Sequence, residues 1–333
     1  MAMIRHDIPR LPAFRGEAWP WIGGDLQTLK STFLKDAPSL DAPSLDQSGE
    51  VLTLPLDDGD ALTAMLHAPP NPKGAIIIVH GLTGCMDSPH VVQMADAAWR
   101  HDRAVLRVNM RGAGPSAALS KKRYSAQSGA DLLPFVAEMA ARFPDVPLVM
   151  VAHSIGGAAA LNMLVDHGGQ LAGLDGLVTV AAPLDLHDAS RRFHQFRNRP
   201  YVIYMLRRLK QMALAMEDLT DAVKAQIKTC KTIRQFDDLM TAPMMGFADA
   251  EAYYTAASTY LKLDAPAIPL LLIHADNDPL VGDTALRQLP PDPEKNRHVL
   301  ISRGGGHVGF HDDHGLWLPR VVLAWQEMIT PKI

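Results

Sequence analysis

Cysteine is nearly absent: Cys85 and Cys230 are the only two among 333 residues. Two thiols cannot build a disulfide framework, which excludes a small disulfide-stapled secreted fold and fits a reducing cytoplasm. Long hydrophobic runs are missing too. No uninterrupted apolar stretch reaches the roughly 18 residues needed to span a bilayer, so stable membrane insertion is not expected, and residues 1–10 read as neither a signal peptide nor an anchor. Charge of one sign is also scarce. A net charge of −4 from 32 basic and 36 acidic residues gives no general attraction to nucleic acid or to an anionic membrane. Repeats and low-complexity tracts are lacking, and the near-duplicate Asp36-Ala37-Pro38-Ser39-Leu40 and Asp41-Ala42-Pro43-Ser44-Leu45 reads as a proline-bearing connector.

What is present is enough apolar material for a sizeable core, 47% of the residues, arranged in an alternation. Val51–Leu56 and Ala61–His67 flank the turn signal Asp57-Asp58-Gly59-Asp60 and predict an antiparallel hairpin at a sheet edge. Strands are then expected at Ala75–Val79, Ala104–Asn109, Leu148–Ala152, Leu177–Val180, Leu270–His274 and His298–Ile301. Between and after them fall helix-like segments, among them Val91–Arg100, Asp131–Arg142, Ile155–Asp166 and Leu318–Met328. Strands alternating with helices predict an α/β fold with a mostly parallel, doubly wound sheet and helices on both faces.

One break in this pattern carries chemistry. Val149-Met150-Val151-Ala152-His153-Ser154-Ile155-Gly156-Gly157 is an apolar run that stops at a serine and resumes as small residues suited to a helix. A serine on a sharp strand-to-helix turn needs small neighbours two positions before and two after, here Ala152 and Gly156. Such a hydroxyl is a poor nucleophile until a base takes its proton, and a third group must orient that base. For the base the candidate is His307, carried on the loop Ser302-Arg303-Gly304-Gly305-Gly306-His307. For the acid it is Asp278, at the end of Pro269-Leu270-Leu271-Leu272-Ile273-His274-Ala275-Asp276-Asn277-Asp278-Pro279, with Asp276 as the alternative. The order Ser154, Asp278, His307 is that of α/β hydrolases rather than of the chymotrypsin or subtilisin folds. An oxyanion hole is also required, since each donor contributes about 10²–10³ in rate. The N–H groups of Ile155 and of Leu82, in the loop His80-Gly81-Leu82-Thr83-Gly84, are the expected pair, with His80 holding that loop by hydrogen bonds.

The chain resembles the α/β-hydrolase superfamily and, within it, the YheT-like branch or AB-hydrolase family four. The matching residues are Trp19-Pro20-Trp21, Leu26-Gln27-Thr28-Leu29, His80-Gly81-Leu82-Thr83-Gly84, Ser88-Pro89 and Asn109-Met110-Arg111-Gly112. Further along come Phe236-Asp237, Thr241-Ala242-Pro243, Gly246-Phe247, Tyr253-Tyr254, Asn277-Asp278-Pro279 and Gly305-Gly306-His307-Val308-Gly309-Phe310. The resemblance implies a carboxylic-ester hydrolase whose triad falls on Ser154, Asp278 and His307. Ala152-His153 and Gly114-Pro115-Ser116 depart from the branch's usual pattern and leave the triad untouched. Some eukaryotic relatives carry a membrane anchor and act on phospholipid or other acyl lipids.

Residues 51–184 and 263–333 are expected to form one hydrolase core, with residues 1–50 packing on it as an N-terminal extension. Residues 185–262 interrupt the alternation and predict a helical cap. Its Tyr201–Leu206 and Met212–Met216 stretches suit either an acyl-chain lining or the packing of cap on body. Arg191, Arg192, Arg197, Arg199, Arg207, Arg208 and Lys210 form a solvated charged face, with contact to an anionic head group or a membrane surface as the alternative. His307, His311 and His314 with Asp312 and Asp313 are metal-ligand types at close spacing. The triad already employs His307 and the glycine loop gives no rigid frame, so neither a metal nor a cofactor is expected. The sequence therefore predicts a serine esterase acting on short to medium acyl or lipid-like esters. Thioester or amide hydrolysis uses the same triad, and a non-catalytic small-molecule-binding protein is the alternative outside enzymes.

Overall fold

The structure, a computed structural model, describes residue 8 and residues 10–33, 49–289 and 291–330; the connector at 36–45 lies outside the described residues. Its frame is an eight-stranded sheet of β1 (Glu50–Pro55), β2 (Ala61–His67), β3 (Gly74–Val79), β4 (Arg103–Val108), β5 (Leu148–His153), β6 (Gly176–Val180), β7 (Leu270–Ala275) and β8 (Arg297–Ser302). In space the strands run β1-β2-β4-β3-β5-β6-β7-β8. The hairpin β1–β2 and the pair β2–β4 are antiparallel, and every other pairing is parallel, with β3 at the centre bonded to both β4 and β5.

The strands β3 to β7 are buried at every position, as a sheet covered on both faces requires. The period-2 alternation of side chains then sorts each strand between two cores. Ile77, Val79, Met150 and Ala152 face a core shared with Phe135, Met139 and Leu161 of α3 (Leu133–Arg142) and α4 (Ile155–His167). Ile76, Ile78, Val149 and Val151 face the other, shared with Val91 and Met94 of α2 (Pro89–Trp99) and Trp317 and Trp325 of a C-terminal helix (Trp317–Ile329). Asp131 lies in a short 3-10 turn, Ala130–Leu132, so the α-helix begins two residues later than the sequence suggests.

The hairpin is tied to the sheet by one buried cation. Arg111, just beyond β4, donates to Asp58 and Asp60 of the turn and, through both Nε and Nη2, to Asp131. Lys122 and Arg111 together hold the Asp58 carboxyl down at about 2. The arginine that marked the resemblance is thus a fastening of the fold, well away from Ser154 in role.

Between β6 and β7 the chain is helical: α5 (Leu186–Phe193), α6 (Arg199–Leu214), α7 (Asp221–Thr229), α8 (Ile233–Phe236), α9 (Ala242–Met244) and α10 (Ala250–Ala257), with a π-helical turn, Asp237–Thr241, joining α8 to α9. Asp185, Thr220, Thr232 and Asp249 accept backbone N–H groups at the starts of α5, α7, α8 and α10, which satisfies donors that a helix start leaves unpaired. The α6 helix divides its apolar residues. Val202, Leu206 and Ala213 pack a local core with Ile227, Ile233 and Phe236, while Met205, Leu209 and Met212 line a cavity. Ala213 takes part in both, and Met205 and Leu209 also pack against the local core. Of the arginines, Arg191 and Arg192 pair with Asp188, Arg197 with Asp25 of α1 (Gly24–Phe33), and Arg208 donates to Thr83 O. Among the described residues no helix is long and apolar enough to cross a membrane.

Candidate active site

Ser154 stands between β5 and α4 with φ 53° and ψ −125°, a region that a side chain makes costly, about 1–3 kcal/mol. Its neighbours hold it there. Ser154 N–H donates to Val180 O on β6, and Ala158 N–H returns to Ser154 O. A Cβ at Gly156 would lie 2.2 Å from His80 O, so α4 can start this close to β3 only with glycine two residues after the serine.

Three side chains meet in a line. His307 Nδ1 lies 2.8 Å from Asp278 Oδ2, and His307 Nε2 lies 2.9 Å from Ser154 Oγ. A carboxylate only accepts, so Nδ1 carries the proton, Nε2 is left as an acceptor, and the serine hydroxyl donates to it. Asp278 is fully enclosed and its other oxygen accepts from Leu280 N–H and Val281 N–H at 2.8 and 3.0 Å. Burial pushes this carboxyl up, but the His307 charge and hydrogen bond, His274 and the Val281 N–H outweigh it and leave it below the usual carboxylate range. Asp276, the alternative, is exposed and points elsewhere: its Oδ1 accepts from Gly304 N–H at 2.8 Å.

That bond belongs to a set. The four successive N–H groups of the histidine loop are each taken by a different side chain: Gly304 by Asp276, Gly305 by Glu17, Gly306 by Asn277 and His307 by Thr28. Glu17 also accepts from Asn277, and Gln27 both donates to His311 O and accepts from His311 N–H. Gly306 has φ +59°, and a Cβ there would lie 2.4 Å from Gly24 O, so α1 packs directly on the loop. Sequence reasoning missed Glu17, Gln27, Thr28 and Asn277 as positioning groups. The signal was there in the Leu26-Gln27-Thr28-Leu29 match, but nothing in a linear chain says that it lies against residues 304–311.

Leu82 and Ile155 line the same cavity as Ser154 and His307. The peptide that carries the Leu82 N–H is fixed from its other side. His80 Nδ1 and Tyr124 Oη both donate to Gly81 O, at 2.8 and 3.0 Å, while Met110 N–H donates to His80 Nε2. In a trans peptide N–H opposes C=O, so anchoring the carbonyl aims the amide. His80 is thus a neutral tether of the loop.

Burial pushes His80 and His153 down to about 4, and His90 well below the ordinary 6.5. Below 6.5 the unfolded chain takes up protons that the folded one refuses, so stability falls with pH between about 6.5 and 4 and is complete above 6.5. Each histidine contributes a slope of up to about 1.4 kcal/mol per pH unit. Urea midpoints are therefore expected to be flat from pH 7 to 8 and to drop steeply from pH 6.5 to 4.5; a flat profile through the lower range would show that these rings are not buried neutral.

The cavity in front of Ser154 measures about 1060 Å³, its open mouth included. Leu186, Phe193, Met205, Leu209 and Met212 line it with apolar groups, and Ser190, Asp237, Thr241, Tyr253 and Tyr254 with polar ones. Among the described residues no group of three His, Cys, Asp or Glu side chains is placed to hold a metal ion. Asp312 instead takes Arg320.

Comparison with known proteins adds the lineage. The family model described as serine aminopeptidase, S33 (Hydrolase_4) matches residues 70–312. The YheT protein of Escherichia coli K12 is 31% identical over 267 residues, 77% of each chain. A monoacylglycerol lipase of Saccharomyces cerevisiae is 28% identical over 252 residues, 72% of this chain and 56% of that protein. Among solved structures, a soluble variant of monoglyceride lipase from Saccharomyces cerevisiae superposes with a TM-score of 0.57 at 14% identity, covering 89% of this chain and all of that one. At that identity the likeness is one of fold.

Proposed function

The chain belongs to the α/β hydrolases, in their YheT-like branch, and is a carboxylic ester hydrolase; on that premise we propose that it cleaves short to medium acyl or lipid-like esters with Ser154, His307 and Asp278 as its triad. The observation that carries this is the hydrogen-bonded line from Ser154 Oγ through His307 to Asp278, opening on a cavity with a methionine- and leucine-lined wall. Ser154 Oγ attacks the ester carbonyl as His307 Nε2 takes its proton, and Asp278 stabilises the resulting imidazolium. The N–H groups of Leu82 and Ile155 receive the oxyanion. His307 then protonates the leaving alcohol, and a water deprotonated by the same ring hydrolyses the acyl-enzyme. Residues 185–262 act as the cap that gives the acyl chain its apolar wall.

Steady-state hydrolysis of p-nitrophenyl esters from two to sixteen carbons tests this reading. With Met205, Leu209 and Met212 receiving the chain, kcat/KM is expected to climb from two to about eight carbons, by up to about fourfold per methylene, the effect of ~0.8 kcal/mol per buried CH₂. Absence of turnover at every length would sink the esterase reading and favour a binding protein.

A further inference from the structure

Three of the segments that mark the resemblance, Phe236-Asp237, Thr241-Ala242-Pro243 and Tyr253-Tyr254, have no part in the triad, yet they converge on one wall of its cavity. The π-helical turn Asp237–Thr241 brings them together; such turns interrupt a helix at a cost and recur at functional sites. Asp237 Oδ1 accepts from Thr241 Oγ at 2.7 Å and Oδ2 from Tyr254 Oη at 2.6 Å. Both donors are neutral hydroxyls. Among the described residues no cation lies within ion-pair distance of Asp237. Its immediate neighbour Asp238 takes the Ala250 N–H, and Arg234, stacked over the Tyr254 ring, pairs with Glu251. Burial lifts the Asp237 carboxyl to about 6, against the pull of the Tyr254 and Thr241 hydroxyls.

A carboxylate kept in a largely apolar cavity without a counter-charge costs stability unless something compensates it. Two hydroxyls use two of its roughly four acceptor positions, and Asp237 lines the cavity that Ser154 and His307 also line. Leu186, Met205, Leu209 and Met212 line the same cavity with apolar groups. An ester that carries both an apolar chain and a hydrogen-bond donor fits this lining.

We propose that Asp237 is a specificity residue: it accepts a hydrogen bond from a hydroxyl or ammonium group carried by the substrate, so that the preferred esters are amphipathic ones bearing such a donor. The proposal rests on the Ser154 esterase reading.

The test compares kcat/KM for three butyrate esters in the wild type and Asp237→Asn: propyl, 2,3-dihydroxypropyl and 3-(dimethylammonio)propyl. The second carries hydroxyl donors and the third an ammonium donor, which separates the two sources. The wild type is expected to prefer one of the donor-bearing esters over propyl butyrate by about tenfold or more, and Asp237→Asn to reduce that ratio by about tenfold, the scale of a lost hydrogen bond to a charged group. A merely structural role would lower all three together and leave the ratios unmoved, which overturns the proposal, as does a wild type without any donor preference. Tyr254→Phe keeps the carboxylate and removes the hydroxyl on Oδ2, so its ratio should hold or rise; a fall to the propyl level would transfer the role to the tyrosine and overturn the assignment to Asp237. Failure of the esterase reading looks different, since none of the three esters would then show turnover dependent on Ser154.

Discussion

Alanine at position 154 is expected to lower kcat/KM on every ester by about 10⁴- to 10⁶-fold, the range found when one member of a serine triad is removed. The same change should leave the fold intact. The strain at this position is in the backbone, with φ 53°, and alanine meets the same strain as serine, since both carry a Cβ. The contacts that hold the turn are main-chain ones, Ser154 N–H to Val180 O and Ala158 N–H to Ser154 O, and the substitution keeps them. The hydroxyl's one side-chain partner among the described residues, His307 Nε2, would face the cavity, where water replaces the lost bond at little cost. Relief of an activated hydroxyl from a strained site often stabilises, so the thermal midpoint should stay level or rise. Paired measurement of p-nitrophenyl butyrate turnover and thermal unfolding checks both halves. Retention of more than about 1% of wild-type kcat/KM in a well-folded variant would remove Ser154 from the mechanism; loss of the fold would mean that its hydroxyl has a structural role that the hydrogen bonds do not show.

Much of the sheet was legible because its cues are local. The β-branched run Ala75–Val79 is buried from end to end, and the turn signal at 57–60 does join β1 to β2. The segment around Ser154 was readable for the same reason: strand, nucleophile and small residues are contiguous, and Gly156 has to be small because His80 O lies where its Cβ would be. What escaped the linear reading is what distant segments do to one another. Glu17 and Thr28 bind amides some 280 residues away, at separations of 288 and 279, and no periodicity encodes a partner across that interval. The same limit applies to Asp237. Phe236-Asp237 and Tyr253-Tyr254 were visible as motifs, but the π turn that sets the carboxylate against Tyr254 is a tertiary outcome. The choice between Asp276 and Asp278 was open for a further reason: both leave the end of β7 within three residues, and only the course of the chain after Ala275 decides which one His307 meets.

Substitution of those two aspartates by asparagine should separate them sharply. Asp278→Asn is expected to cut kcat by about 10⁴-fold with little change in KM, because an amide in place of the carboxylate no longer fixes the proton on His307 Nδ1 and no longer stabilises the imidazolium. The geometry explains why the effect should be large. Asp278 offers one oxygen to the Leu280 and Val281 amides and the other to the imidazole. Asparagine in that setting keeps its oxygen on the two amides and turns its NH₂ toward His307, which favours the tautomer with the proton on Nε2, where it cannot accept from Ser154. Because the His307 charge and hydrogen bond overcome burial to hold the Asp278 carboxyl below its ordinary 3.8, it is ionised throughout the neutral range. The sign of the linkage follows: its contribution to stability is complete above 3.8 and is lost only as pH falls through the lower folded value. Asp276→Asn keeps an oxygen for Gly304 N–H at an exposed position, so activity should stay within about fivefold of wild type. Kinetics of the two variants on one ester decide the matter: a 10⁴-fold loss at 278 with near-normal turnover at 276 fits the line Ser154–His307–Asp278, whereas the reverse pattern would mean that the loop bearing His307 rearranges during catalysis to place Asp276 behind the imidazole.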